Sequence, residues 1–235
     1  MTASEIMKQL EKMGDAQTKK TFLRHGAQEP LFGVKIAELK TILKKTKKNH
    51  ALSLELYKTG NSDAMYLAGL MADETKITEA DLNEWVKKAN WSYLNEFAVP
   101  WVAAETDFGF ELGLKWIKSD NPLIATAGWS ALSNFAAVKP DEKLDIEKYN
   151  KLLDQVEKTI HKAPNRVRYV MNTFVICVGS YIKELNKKAL AVAANISDVT
   201  VDMQGTACKL PAAADYIKKV MDKGNLGKKK KMARC

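Results

Sequence analysis

NRVRYVMNTFVICVGSY, residues 165–181, decides how this chain has to be built. From Val170 to Val178 it is apolar except for Asn172 and Thr173, and nine residues fall far short of the roughly 20 that a membrane span needs. The stretch must therefore be a helix covered by protein, entered through Arg166 and Arg168 in its first turn. A chain that buries such a helix needs further elements to wrap it.

Working outward, apolar residues return every three or four positions almost everywhere, and period-two alternation is hard to find, which predicts an all-α protein. Ser4 is placed to cap a first helix that Gly14 stops. VKIAELKTILKKTKKN turns Val34, Ile36, Leu39, Ile42 and Leu43 inward and lysines outward. Thr78 opens TEADLNEWVKKAN with an acidic residue three places on, the pattern of a capping box, and Asp145 to Ala163 reads as a long amphipathic helix ended before Pro164.

Between these lie helices apolar all round: SDAMYLAGLMA from Ser62, WSYLNEFAVPWVAAE from Trp91, NPLIATAGWSALSNFAA from Asn121, and the stretch from Asn165. They start about 30 residues apart, then about 45, which is the range of two-helix repeats. In such arrays an inner row of helices lines a concave surface and an outer row meets water. Small residues such as Ala125, Ala127, Gly128 and Ala131 allow close approach, and Pro100 should kink its helix or end the first half of it. Residues 1–196 thus read as a solenoid, 197–224 as a connector and last helix, and 225–235 as a basic, disordered tail.

The 235 residues carry 46% hydrophobic side chains and a net charge of +9, which favours polyanionic partners. The tail GKKKKMARC holds five of the positive charges and leaves +4 for the rest. Cys177, Cys208 and Cys235 are too scattered for a disulfide framework or a metal site, and are expected to be reduced. No secretory signal is visible at the N-terminus, so a cytoplasmic location is expected. No catalytic triad or phosphate loop is present.

Four stretches, LFGVKIAELKTILKK, NWSYLNEFAVP, WIKSDNPLIATAGWSAL and VRYVMNTFVICVGSY, come in an order and spacing that resembles the bacterial DNA alkylation repair family, the HEAT-like-repeat alkylpurine-DNA glycosylases and their paralogues. The resemblance covers most of Phe22 to Ile196. It implies an α-α superhelix with a concave, basic groove for double-stranded DNA, alkylated or branched, without cofactor, metal or membrane. Active members carry a Trp, an Asp, an Arg and a second Trp in that groove. Here Glu96 falls at the carboxylate position and is the catalytic candidate, Ser92 falls at the first Trp with Trp91 one place earlier, Thr126 at the Arg, and Thr173, beside Asn172, at the second Trp.

A carboxylate beside the sugar would stabilise the oxocarbenium character that develops as a cationic base departs. Arg166 and Arg168, at a helix N-terminus, are candidate phosphate ligands, with ion pairs to Asp154 and Glu157 as the alternative. Glu96 itself could be partnered by Arg168 or a lysine. Arg24, His25 and Lys35 are expected to face the DNA, and Lys228, Lys229, Lys230 and Lys231 to add nonspecific affinity. Base excision stays open. The alternatives are a catalytically silent paralogue that binds damaged or structured DNA and a protein-interaction scaffold.

Overall fold

The computed structural model describes residues 1–203 and 209–234. Among them every regular element is helical. The helices are α1 (Ala3–Met13), α2 (Ala16–Arg24), α3 (Ile36–Thr46), α4 (His50–Lys58), α5 (Ser62–Met71), α6 (Glu79–Lys88), α7 (Val99–Glu105), α8 (Gly109–Trp116), α9 (Pro122–Val138), α10 (Ile146–Thr159), α11 (Asn165–Tyr181), α12 (Asn186–Asn195) and α13 (Ala213–Asp222), with a π-helical turn over Leu94–Ala98. None of the described helices is long and apolar enough to cross a membrane.

Helix starts follow side-chain chemistry. Thr2, rather than Ser4, caps α1, because Glu5 three residues on returns the bond to the Thr2 amide. Ser4 has Met7 at that spacing and no such reciprocity. Thr78 and Asp81 form the same box on α6. Asp145 caps α10, which ends at Thr159 and tightens into a 3₁₀ turn over Ile160–Lys162 before Pro164.

The apolar helices form an inner row, α5, the π turn with α7, α9 and α11, packed one against the next. All ten residues of α5 are buried. The amphipathic α6, α8, α10 and α12 flank them; α10 turns Tyr149, Leu152, Leu153 and Val156 inward. Close approach is met by glycine: a Cβ on Gly69 would lie 2.7 Å from the Ala98 Cβ, and one on Gly128 would lie 2.5 Å from the Ile117 nitrogen. Around α9 and α11, Trp129 meets Phe174 edge-on at 5.0 Å and Tyr149 stacks on Phe174 at 5.9 Å. Burying each such side chain stabilises by about 1.5–3 kcal/mol, less the entropy of fixing it.

Pro100 explains the π turn. It has no amide proton to give the Glu96 carbonyl, and the chain widens just before it so that the Val99 amide reaches the Leu94 carbonyl instead.

The basic tail was expected to be free. The structure instead lays residues 227–234 across the C-terminal ends of the inner helices, in reverse chain order. The Gly227 amide donates to the Ser180 carbonyl at 2.8 Å and the Lys230 amide to the Ala137 carbonyl at 2.8 Å. Lys229 Nζ donates to the carbonyls of Tyr181 (2.9 Å) and Ala136 (3.0 Å) and pairs with Asp141. Arg234, 7% exposed, bonds Glu105, Glu74 and the Ala72 carbonyl. The last turns of α5, α7, α9 and α11 hold carbonyls without intrahelical donors and the negative ends of four dipoles, and a cationic strap satisfies both. α13 is part of the same body, with Ile217 fully buried and placed against Gly179 of α11. The readings for Cys208 and Cys235 lie outside the described residues.

Candidate functional site

At the opposite ends of the inner helices, where α9, α11 and the π turn begin, a cleft of about 550 Å³ opens. Ser92, Tyr93, Glu96 and Phe97 form one wall, Arg166 and Tyr169 of α11 the other, and His25, Gln28, Asn90 and Lys209 stand around it. Four helix N-termini gather on this side, because α5 is tied in through Ser62, whose hydroxyl donates to the Gln28 carbonyl at 3.0 Å. The inner row therefore aligns its dipoles, with positive ends at the cleft and negative ends under the strap.

Glu96 lies at the base. It is 4% exposed, and Arg166 closes on it with Nε to Oε1 and Nη2 to Oε2, both at 2.6 Å. Burial pushes its carboxyl above the ordinary value, and the Arg166 charge and hydrogen bonds oppose the rise. The same guanidinium lies over the Tyr169 ring, 4.5 Å from its centroid. The partner of Glu96 is thus Arg166, neither Arg168 nor a lysine. Asp154 pairs with Lys188, and Glu157 accepts from Asn195, so neither takes up an α11 arginine.

Several sequence candidates lie elsewhere. Trp91 is 1% exposed, stacked on Tyr93 at 4.5 Å and packed against Phe22, with its indole nitrogen donating to the His25 carbonyl at 3.3 Å. It is a core residue and cannot stack on a nucleotide. Thr126 is fully buried, which removes it from any groove surface. Asn172 is buried and donates to the Pro211 carbonyl at 3.0 Å, anchoring the connector on α11, and the Thr173 hydroxyl turns back to the Tyr169 carbonyl. Lys229 is engaged in the strap, Lys230 lies over the Tyr181 ring and Lys228 bonds Asn225, all remote from the cleft, as is the exposed Lys231.

His25, Ser92 and Arg166 do line the cleft. Arg24 at the end of α2 and Lys35 before α3 are exposed, and Arg168 is half-buried beside Arg166 in sequence but outside the cleft lining. The sequence reading missed the aromatic walls: Tyr93 and Phe97 bracket Glu96, and Tyr169 lies three residues after Arg166, the spacing that brings two side chains together on a helix. Among the described residues no group of His, Cys, Asp and Glu side chains is placed to hold a metal ion.

The geometry is matched by known proteins. A solved structure described as "a new family of proteins related to the HEAT-like repeat DNA glycosylases with affinity for branched DNA structures" superposes with a TM-score of 0.90 at 35% identity, with 100% of both chains covered. An uncharacterized protein of Listeria innocua is 31% identical over 231 residues, 96% of this chain and 100% of its own length. One of Listeria monocytogenes is 31% identical over 229 residues, covering 95% and 99%. The family model for DNA alkylation repair enzymes matches residues 6–216. An all-α superhelix of HEAT-like repeats, matched over nearly its full length, makes this chain a member of the DNA alkylation repair family.

Proposed function

We propose that this protein binds branched DNA through the cleft side of the superhelix and does not excise alkylated bases. One observation carries the reading: both oxygens of Glu96 are engaged by Arg166. A carboxylate that is to stabilise a developing sugar cation, or orient water, needs a free oxygen facing the reacting carbon. Here the charge is already neutralised and the group is buried. The residues that the resemblance lays on the other family positions, Ser92, Thr126 and Thr173, offer neither a cation nor an aromatic wall.

DNA affinity is supported by the net charge of +9, by the positive helix ends at the cleft, by the exposed Arg24 and Lys35, and by the branched-DNA affinity of the solved relative. The test pairs two measurements. A four-way junction and a linear duplex of the same length are titrated at several salt concentrations, and a duplex carrying 7-methylguanine is incubated under single-turnover conditions. The junction should bind more tightly, with affinity falling steeply as salt rises, and no base should be released. Release of 7-methylguanine that is abolished by Glu96→Gln would replace this reading with a glycosylase.

A further inference from the structure

Building on the DNA-binding reading, on which this rests, we propose that the cleft between the π turn and α11 takes one unpaired nucleobase of branched or gapped DNA. The base would be held by stacking on the rings of Tyr93, Phe97 and Tyr169 and by polar contacts at its edges. The cleft volume of about 550 Å³ falls within the roughly 300–1,000 Å³ of small-ligand pockets. It is too confined for a double helix, so what enters it must be a part of the DNA smaller than the duplex.

Its walls are aromatic and set in place before anything binds. Tyr93 is backed face-to-face by Trp91 at 4.5 Å and an interplanar angle of 9°, and Trp91 in turn by Phe22 at 4.9 Å. Phe97 meets Tyr93 edge-on at 5.5 Å. Tyr169 is held by the Arg166 guanidinium, which lies over its ring at 4.5 Å from the centroid. The Glu96–Arg166 pair ties the two walls together at the base and keeps their separation. Rings that are already oriented lose little freedom on binding, so more of the stacking energy reaches affinity.

The surroundings complete the fit. Gln28 and Ser92 offer hydrogen-bonding groups to a base edge, and Lys209 and His25 stand where the attached backbone would pass. The carboxylate is balanced by its arginine, so the site favours an ordinary neutral base over a cationic alkylated one. A base in a continuous duplex would first have to leave its pair and its stack, whereas a gap, or a branch point with bases left unpaired, presents one already released. The cleft thereby favours branched over linear DNA.

The test compares gapped and four-way DNA carrying an unpaired 2-aminopurine with the same DNA carrying an abasic spacer there. Binding should quench the 2-aminopurine fluorescence, and the abasic spacer should weaken affinity about tenfold. Tyr169→Ala and Tyr93→Ala should weaken binding of the base-containing DNA by a similar factor and leave the abasic DNA unchanged, while Tyr93→Phe should behave as the parent. Equal affinity for base-containing and abasic DNA would overturn the base site and leave branched-DNA binding standing. No affinity for any DNA would overturn both. The abasic comparison uses the unaltered protein, so it decides the matter even where a tyrosine variant fails to fold.

Discussion

Arg166 and Glu96, seventy residues apart in the chain, meet as a bidentate pair that joins α11 to the π turn. The glutamate side chain is 3% exposed and the arginine 28%, so the carboxylate is the buried member and the guanidinium the link to solvent. A planar fork that fills both carboxylate oxygens fixes two elements in angle as well as distance. The pair therefore locks α11 to the π turn across the cleft.

Arg166→Met should lower unfolding free energy by about 3 kcal/mol, the low end for breaking a buried pair, because the arginine keeps some access to water. The loss should depend on pH. Glu96 has a raised carboxyl in the folded state, so its contribution to stability is full below the unfolded value of about 4.3 and declines as pH rises through the folded value. Removing Arg166 takes away the opposing charge and extends that decline to higher pH. Urea midpoints of parent and variant, measured from pH 4 to 8, should diverge as pH increases.

Arg234→Ala should cost about 3 kcal/mol, since it removes the cation paired with Glu105 and Glu74, leaving the Glu105 carboxylate only backbone amides, and strips the Ala72 carbonyl of its donor. Burial alone would raise the Glu74 carboxyl, but Lys48 and Arg234 bring it below its ordinary value. A depressed carboxyl stabilises above the unfolded value near 4.3, and that contribution is lost as pH falls through the folded value. Hydrogen exchange at the C-terminal turns of α5 and α9 should accelerate in the variant at neutral pH and in the parent only under acid.

Lys229→Ala should lower the melting temperature and leave the salt dependence of DNA binding unchanged, because its ammonium is spent on Ala136, Tyr181 and Asp141. Arg24→Ala and Lys35→Ala should do the reverse, each reducing the salt slope by about one with little effect on melting.

Asp63 accepts from the amides of Phe32 (2.7 Å), Gly33 (3.0 Å) and Val34 (2.9 Å), pinning the segment between α2 and α3 to the start of α5. Asp63→Ala strands these donors and should destabilise by about 3 kcal/mol or more. Chemical denaturation reads the loss directly, and amide exchange at Phe32–Val34 should show it locally.

Gly128→Ala should cost about 1–3 kcal/mol, since the added methyl would meet the Ile117 backbone at 2.5 Å and force α8 and α9 apart. Gly224→Ala makes an instructive contrast: nothing lies within 4 Å, and the penalty there comes only from its positive φ of 63°.

Much of this protein is set by interactions within a few residues. Apolar spacing made the helices and their inner and outer roles readable, the capping pair Thr78 and Asp81 marked a helix start, and Pro100 announced a break, because hydrogen bonds and side-chain periodicity act over one or two turns. Glu96 was readable as a special carboxylate, since an acid in an apolar helix needs a partner. Which partner was not readable: Arg168 and several lysines offered the same charge, and only the packing of α9 against both α11 and the π turn brings Arg166 to it. Just before the π turn, Trp91 is buried in the core while Tyr93 reaches the cleft, a division between two neighbouring aromatics that only the packing against Phe22 and the α2 end decides. A lysine-rich tail has the same composition whether it floats or docks. Four parallel helix ends, assembled from residues as far apart as Ala72 and Tyr181, created the carbonyls and negative dipoles that hold it, and no local stretch of chain contains that field.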